Sequence, residues 1–180
     1  MPLYLVEITP ARAERDAVDA LLSDAVDAVT GAGAEVVETQ VTAGLGTVFV
    51  ILEAAAPEAA ARAVAGLHGV AALEGPEEVR LVGAELAAIK ASRPAAGYLV
   101  EWDLPDELDM DTYLANKKTK APRYAQVPET SFLRTYVRED MDKCLCFYDA
   151  PDEVAVRRAR EAVSTPVDRL HALDPQGVRR

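Results

Sequence analysis

The sequence predicts an α+β fold of two tandem βαββαβ repeats, and three observations carry that prediction. Residues 131–163 read as a strand, a tight turn, a second strand and a helix. A worn version of the same pattern stands in the first half of the chain. The two versions also keep a common spacing: Tyr4-Leu5-Val6-Glu7 recurs as Tyr98-Leu99-Val100-Glu101, an offset of 94 residues, and the strand-to-helix junction Glu53-Ala54 recurs as Asp149-Ala150, an offset of 96. A βαββαβ unit is the split βαβ, or ferredoxin-like, arrangement, in which two helices cover one face of an antiparallel sheet. The other face needs a partner. Two such sheets in one chain are expected to cover each other as an intrachain pseudo-dimer. The expected boundaries are repeat 1 over 1–83, a helical linker over 84–96 and repeat 2 over 97–180.

Each element has a local reason. LYLVEI (3–8) is a short apolar strand closed by Thr9-Pro10. A helix is expected over 11–30, because Val18, Leu21, Leu22, Ala25, Val26 and Val29 recur on one helical face. Gly31 and Gly33 stop it. EVVETQV (35–41) alternates as a strand, and TVFVILE (47–53) is apolar throughout, as a central strand would be. Pro57 opens the next helix. The fourth strand falls at 70–73 or at 79–82, with Gly75-Pro76 breaking the segment between them. A helix over 85–92 and the segment Arg93-Pro94-Ala95-Ala96-Gly97 lead to the second half. There the order restarts: a strand over 98–103, a helix over 109–118 with an acidic start, the hairpin FLRTYV–EDMDK–CLCFY, a helix after Ala150-Pro151-Asp152-Glu153, and a last strand over 167–173.

Bulk composition narrows the function classes. Half of the 180 residues are hydrophobic and 27% are charged, as in an ordinary globular protein. No apolar run approaches the roughly 20 residues that cross a bilayer, and MPLYLVEITP has no basic leader or cleavage site. Two cysteines make no disulfide framework. These features predict a cytoplasmic protein without a membrane partner. A net charge of −11 argues against nucleic acid, which needs a basic footprint. The local exception is NKKTKAPR (116–123), either a solvated helix C-terminus or an anion-recognising loop.

Few residues carry a chemical signal. Cys144 and Cys146 form a CxC pair on a strand, so both sulfurs share a face with Tyr148. They read either as small packing hydrophobes or as soft metal ligands. His171 on the last strand and Glu101 on the first strand of the second half lie near Cys146 in the ferredoxin-like strand order. A metal set of Cys144, Cys146 and His171, with Glu101 beside it, forms if all face one side; otherwise Glu101 pairs with Arg134 or Arg169. His68 is expected in a solvent-facing loop. Alternation puts Phe132, Arg134, Tyr136 and Arg138 on one face and Leu133, Thr135 and Val137 under the helices. Arg134 and Tyr136 then project between the sheets with Cys146 and Tyr148, and Glu101, Arg134, Tyr136, Cys146 and Tyr148 make the expected ligand-binding wall. Trp102, Tyr113 and Tyr124 add aromatic lining or plain packing. No GxSxG, Walker loop, HExxH or GxGxxG occurs.

The segments YLVEWDLP (98–105), FLRTYVRED (132–140), KCLCFYDAPDE (143–153) and VDRL…LDP (167–175) occur in an order and spacing that resemble a known family. It comprises small bacterial ferredoxin-like domains of unknown function, represented by an actinomycete nickel-binding protein. The resemblance covers about the last 80 residues; the first half looks like a diverged copy. It implies the fold, a metal ion such as nickel or another transition metal, or a small ligand, and no catalytic activity. The helix histidine common in the family is Arg158, before Ala159, in this chain, and the usual glycine before the last turn is replaced in Ser164-Thr165-Pro166.

Two functional expectations follow. One is a non-catalytic binding protein, a monomer with an internal pseudo-dimer or a homo-oligomer, holding a metal ion or small ligand on or between its sheets. The other, from fold analogy, is a cofactor-free oxygenase, isomerase or decarboxylating enzyme for small aromatic or acidic molecules. A protein-interaction module using the NKKTKAPR segment is the third.

Overall fold

A computed structural model describes residues 1–92 and 95–177. Arg93 and Pro94 of the expected linker, and the last three residues of the basic tail, lie outside the described residues. The chain divides into two compact units. Unit 1 comprises Met1–Val79, Glu85–Ala95 and the chain from Leu173; unit 2 comprises Arg80–Ala84 and Ala96–Ala172.

Unit 1 holds β1 (Leu3–Pro10), α1 (Arg15–Gly31), β2 (Glu35–Val41), β3 (Val48–Glu53), α2 (Pro57–Val64), most of β4 (Val70–Val82) and α3 (Leu86–Ser92). Its strands are antiparallel, in the order β2-β3-β1-β4. The apolar stripe that predicts α1 is the face it buries: Val18, Leu21, Leu22, Ala25 and Val29. That helix begins at Arg15 instead of residue 11, after an extended Glu14. All six residues of β3 are buried, as its unbroken apolar run requires.

The fourth strand departs from expectation. β4 is one strand of 13 residues, and Gly75-Pro76 lies inside it instead of ending it. Leu5 pairs with Glu77 and Glu7 with Glu74, so the Gly-Pro pair is an irregularity opposite Val6. Such a step tolerates proline, which has no N–H for the ladder. It also requires the glycine. Gly75 has φ +93°, and a Cβ there would stand 2.5 Å from the Leu5 carbonyl oxygen. The chain from Leu173 belongs to this unit: Leu173 bridges Thr42, the Asp174 N–H donates to the Val41 carbonyl (2.8 Å), and Asp174 pairs with Arg15.

Unit 2 repeats the element order with β5 (Tyr98–Asp103), α4 (Met110–Lys120), a 3-10 segment (Ala121–Gln126), β6 (Ser131–Arg138), β7 (Lys143–Asp149), α5 (Glu153–Ala162) and β8 (Arg169–Ala172). Its strand order is β6-β7-β5-β8, antiparallel. Asp109 and Asp152 cap the two helices, accepting from the N–H groups of Thr112 (2.7 Å) and Ala155 (2.8 Å).

The registers of the two units correspond residue for residue. Glu35↔Glu53, Val36↔Leu52 and Glu38↔Ile51 in unit 1 match Ser131↔Asp149, Phe132↔Tyr148 and Arg134↔Phe147 in unit 2, each displaced by 96. Both units carry a bulge at the same place, at Val37 and at Leu133. That bulge overturns the simple alternation expected for β6. With Leu133 displaced, Phe132 turns to the Tyr148 face instead of joining Arg134 and Tyr136.

Candidate ligand-binding site

The face of the unit 2 sheet that bears Cys144, Cys146 and Tyr148 is packed with Val100 from β5, Val137 from β6 and Val156 from α5 in one buried cluster. Cross-strand pairing adds Trp102 opposite Cys144, Thr135 opposite Cys146 and Phe132 opposite Tyr148. Above them α4 contributes Tyr113 and Lys117, the 3-10 segment Tyr124, and α5 Arg160. Trp102, Tyr113, Lys117, Tyr124, Arg160 and Thr165 line a cavity of about 50 Å³, with Leu108 and Val163 completing its apolar part.

Arg160 is 3% exposed. It sits on the inward stripe of α5, with Ala155, Val156 and Ala159. Its Nε and Nη2 donate to the Pro166 carbonyl (3.1 and 2.5 Å). Nη1 donates to Tyr148 Oη (3.3 Å) and Cys146 Sγ (3.4 Å), and the guanidinium carbon lies 5.7 Å from the Trp102 ring centre. Lys117 is held differently. Its Nζ stands 4.0 Å from the Phe132 ring centre and 5.9 Å from that of Tyr113, with no carboxylate partner among the described residues. Burial draws its ammonium below the usual lysine range.

Around these cations lies a connected set of polar groups. Tyr124 Oη and Tyr148 Oη are 2.8 Å apart, Thr135 Oγ1 and Cys146 Sγ 2.7 Å, and the two sulfurs 3.8 Å. Burial raises Tyr148 and Tyr113, and pushes Tyr124 up to about 12. The Cys144 S–H directed at Cys146, with Arg160 and Lys117 nearby, pulls the Cys146 thiol below its ordinary range; the same contact and burial push Cys144 up.

Unit 1 has the same frame without this chemistry. At the positions 96 residues earlier, Val48 stands for Cys144, Val50 for Cys146, Leu52 for Tyr148 and Val64 for Arg160, and all four are buried in an apolar cluster. At these four positions the frame therefore packs with aliphatic side chains. The polar set in unit 2 is an addition to it.

The expected site residues separate on the two faces of the sheet. Cys144, Cys146 and Tyr148 face the helices. Glu101 and His171 lie on the opposite face, because Glu101 is opposite Leu145 and His171 opposite Leu99. Arg134 and Tyr136 are on that face as well, pairing with Phe147 and Leu145; the guanidinium carbon of Arg134 lies 4.7 Å from the Phe147 ring centre. The wall expected from Glu101, Arg134, Tyr136, Cys146 and Tyr148 is thus divided by the β-sheet itself. So is the metal set of Cys144, Cys146 and His171. Among the described residues no group of three or more His, Cys, Asp or Glu is arranged to hold a metal ion.

Glu101 follows the ion-pair alternative. It is 4% exposed and accepts from Lys143 Nζ (3.0 Å), Arg169 Nε (2.9 Å) and His171 Nε2 (2.7 Å). Burial opposes the charge, but these three donors outweigh it and hold the carboxyl at about 2. His68 is exposed, as expected, beside Asp24.

Sequence reasoning reached Trp102, Tyr113 and Tyr124 as possible lining and Lys117 as one cation of the segment NKKTKAPR, and missed Arg160. The available signal was spacing. Arg160 falls four residues after Val156, on the apolar stripe of its helix, and Lys117 four after Tyr113. A cation in such a stripe is a buried cation that must be accommodated.

The fold is that of mixed α+β proteins with antiparallel ferredoxin-like sheets. Residues 98–173 match the family described as nickel responsive protein SCO4226-like, in line with the resemblance carried by that segment. No curated protein matches the chain. Two solved structures are similar over nearly their whole length. One, described as "Putative Chlorite dismutase TA0507", is 14% identical, with a TM-score of 0.57, over 98% of this chain and 97% of the other. The second, described as a "putative monooxygenase from Lactobacillus acidophilus NCFM", is 12% identical, with a TM-score of 0.51, over 99% and 97%. At these identities the likeness is one of fold. No helix among the described residues is long and apolar enough to cross a membrane.

Proposed function

We propose that this chain is a non-catalytic binding protein whose ligand occupies the cavity beneath α4 and α5 of unit 2. One observation carries the reading. The buried Arg160, the half-buried Lys117 and the phenols of Tyr113 and Tyr124 line a preformed cavity in unit 2, with the Cys144 and Cys146 thiols in the cluster packed against it, while the matching sheet positions of unit 1 are aliphatic. A buried polar group is costly unless satisfied, and an apolar core of the same shape is often at least as stable. A polar set kept in one unit and dispensed with in its counterpart is better explained by a ligand than by folding. The common element order, registers and bulges support a second part of the proposal, that the units are tandem repeats of one ancestral unit.

A nickel or other soft-metal site is the alternative reading. The Cys144 and Cys146 sulfurs are 3.8 Å apart. That is the separation of two thiolates sharing one tetrahedral ion at metal–sulfur distances of about 2.3 Å. The family match to a nickel responsive protein adds to it. Two features weigh against it: the pair supplies only two ligands, and Arg160 and Lys117 place positive charge where a cation would bind.

The experiment is thermal melting of metal-free protein with a panel of small neutral and charged compounds, and separately with nickel. A ligand of the native state raises the melting temperature as its concentration rises. The proposal expects a small compound to do so in the wild type and to lose its effect in Leu108→Trp, which fills the cavity. A response to nickel alone, abolished by Cys144→Ser or Cys146→Ser, would favour the metal reading.

A further inference from the structure

The three cations that line the cavity are not equivalent, and Lys120 donates to the Ser164 carbonyl (3.3 Å). Arg160 is occupied: the Pro166 carbonyl, Tyr148 Oη and Cys146 Sγ take its Nε, Nη2 and Nη1 groups. Lys117 has ring faces for neighbours and no hydrogen bond or ion pair among the described residues. An ammonium carries three donors. Ring faces offset part of its lost hydration, yet an oxygen acceptor would satisfy it better. None of the residues lining the cavity is a carboxylate. The charge of Lys117 acts on the buried Cys144 and Cys146 thiols, which lie outside the lining, and nothing in the lining itself meets it.

Size and lining restrict what can meet it. A volume of about 50 Å³ is small and suits a ligand group of a few non-hydrogen atoms. Trp102, Leu108 and Val163 make part of the wall apolar. A strongly hydrated dianion such as phosphate would leave several oxygens against those side chains without donors. A monoanion with one charged end and a short apolar end suits both parts of the wall.

Resting on the binding reading above, we infer that the cavity takes a small monocarboxylate, its carboxylate on Lys117 and its alkyl end among Trp102, Leu108 and Val163. Asn116 and Thr165 border the same space as neutral polar partners.

Trp102 is the single tryptophan of the chain and lies in the cavity wall, so its emission reports occupancy directly. The full chain is titrated with sodium acetate, with acetamide as the neutral molecule of the same shape, with sodium phosphate, and with sodium chloride at matched ionic strength. The expected result is a saturable change with acetate, binding at least tenfold weaker for acetamide, and no saturable change with chloride. Lys117→Gln should weaken acetate at least tenfold and bring it level with acetamide; Lys117→Arg, which keeps the charge, should retain a preference for acetate. Melting curves of both variants show whether they are folded, and the wild-type comparison stands without them. Equal binding of acetate and acetamide, or binding of acetamide alone, overturns the carboxylate inference and leaves the cavity reading in place. Saturation by phosphate at lower concentration than acetate overturns the assignment to a monocarboxylate. No response to acetate or acetamide overturns this inference, and melting with the wider panel then decides separately whether the cavity reading falls with it.

Discussion

At the scale of single residues, two buried charged groups are stabilised in opposite ways. Glu101 is a carboxylate with three donors, and its folded-state value of about 2 lies below its usual 4.5. Its stabilising contribution is therefore complete above about pH 4.5 and is lost as the pH falls toward 2. The shift corresponds to roughly 3 kcal/mol. In urea unfolding, the wild type should lose stability between pH 6 and pH 3 more steeply than Glu101→Gln. At pH 7 that substitution should cost roughly 3 kcal/mol, because Lys143, Arg169 and His171 lose a shared counter-charge. A variant as stable as the wild type across this range would contradict the assignment of Glu101 as a structural carboxylate. Arg160 is instead a cation held without a carboxylate, by the Pro166 carbonyl, the Tyr148 hydroxyl and the Cys146 sulfur. Arg160→Lys cannot reproduce the fork on the Pro166 carbonyl while reaching Tyr148 and Cys146, so it should lose about 2 kcal/mol in the same measurement. Near-neutrality would show that the geometry of the guanidinium is immaterial.

At the scale of elements, the periodic signals were legible and the irregular ones were not. The stripe from Val18 to Val29 fixes the buried face of α1, and the apolar run of β3 marks a fully buried strand. Alternation gave the wrong face for Phe132, because a one-residue bulge at Leu133 leaves no mark in a run of β-formers. Gly-Pro pairs usually end strands, which is why the sequence predicts a break at Gly75-Pro76, and here they form a step within β4. Gly75→Ala should therefore destabilise the chain by about 2 kcal/mol or more, through positive φ and the close Leu5 carbonyl. Full stability of that variant would mean the step relaxes to ordinary backbone. The two faces of the sheet explain why the expected site dissolved. Strand order correctly brought Glu101, Cys146 and His171 to neighbouring strands, but the register decides the face, and it separates the thiols from the imidazole.

At the scale of the whole molecule, the correspondence between units is the most informative feature. With every β2–β3 and β6–β7 pair displaced by the same 96 residues, unit 1 acts as a built-in reference for unit 2. It shows which positions the fold needs filled and which it leaves open to chemistry. The offsets were legible in YLVE and in the strand-to-helix junctions; the exchange of Val48, Val50, Leu52 and Val64 for Cys144, Cys146, Tyr148 and Arg160 was legible only once the registers were known. If the polar set serves a ligand, replacing Cys144 and Cys146 together by valine, the unit 1 residue at both places, should leave the chain folded within about 1 kcal/mol of wild type while changing ligand binding. A large loss of stability would assign the thiols to the fold.

The central claim is that ligands enter the cavity beneath α4 and α5 of unit 2. Amide and indole N–H resonances followed during an acetate titration locate binding directly. The expected shifts fall on the Trp102 indole and on the backbone near Tyr113, Lys117, Tyr124, Arg160 and Thr165, with unit 1 unmoved. Shifts centred on Glu101, Arg169 and His171, or confined to unit 1, would contradict it.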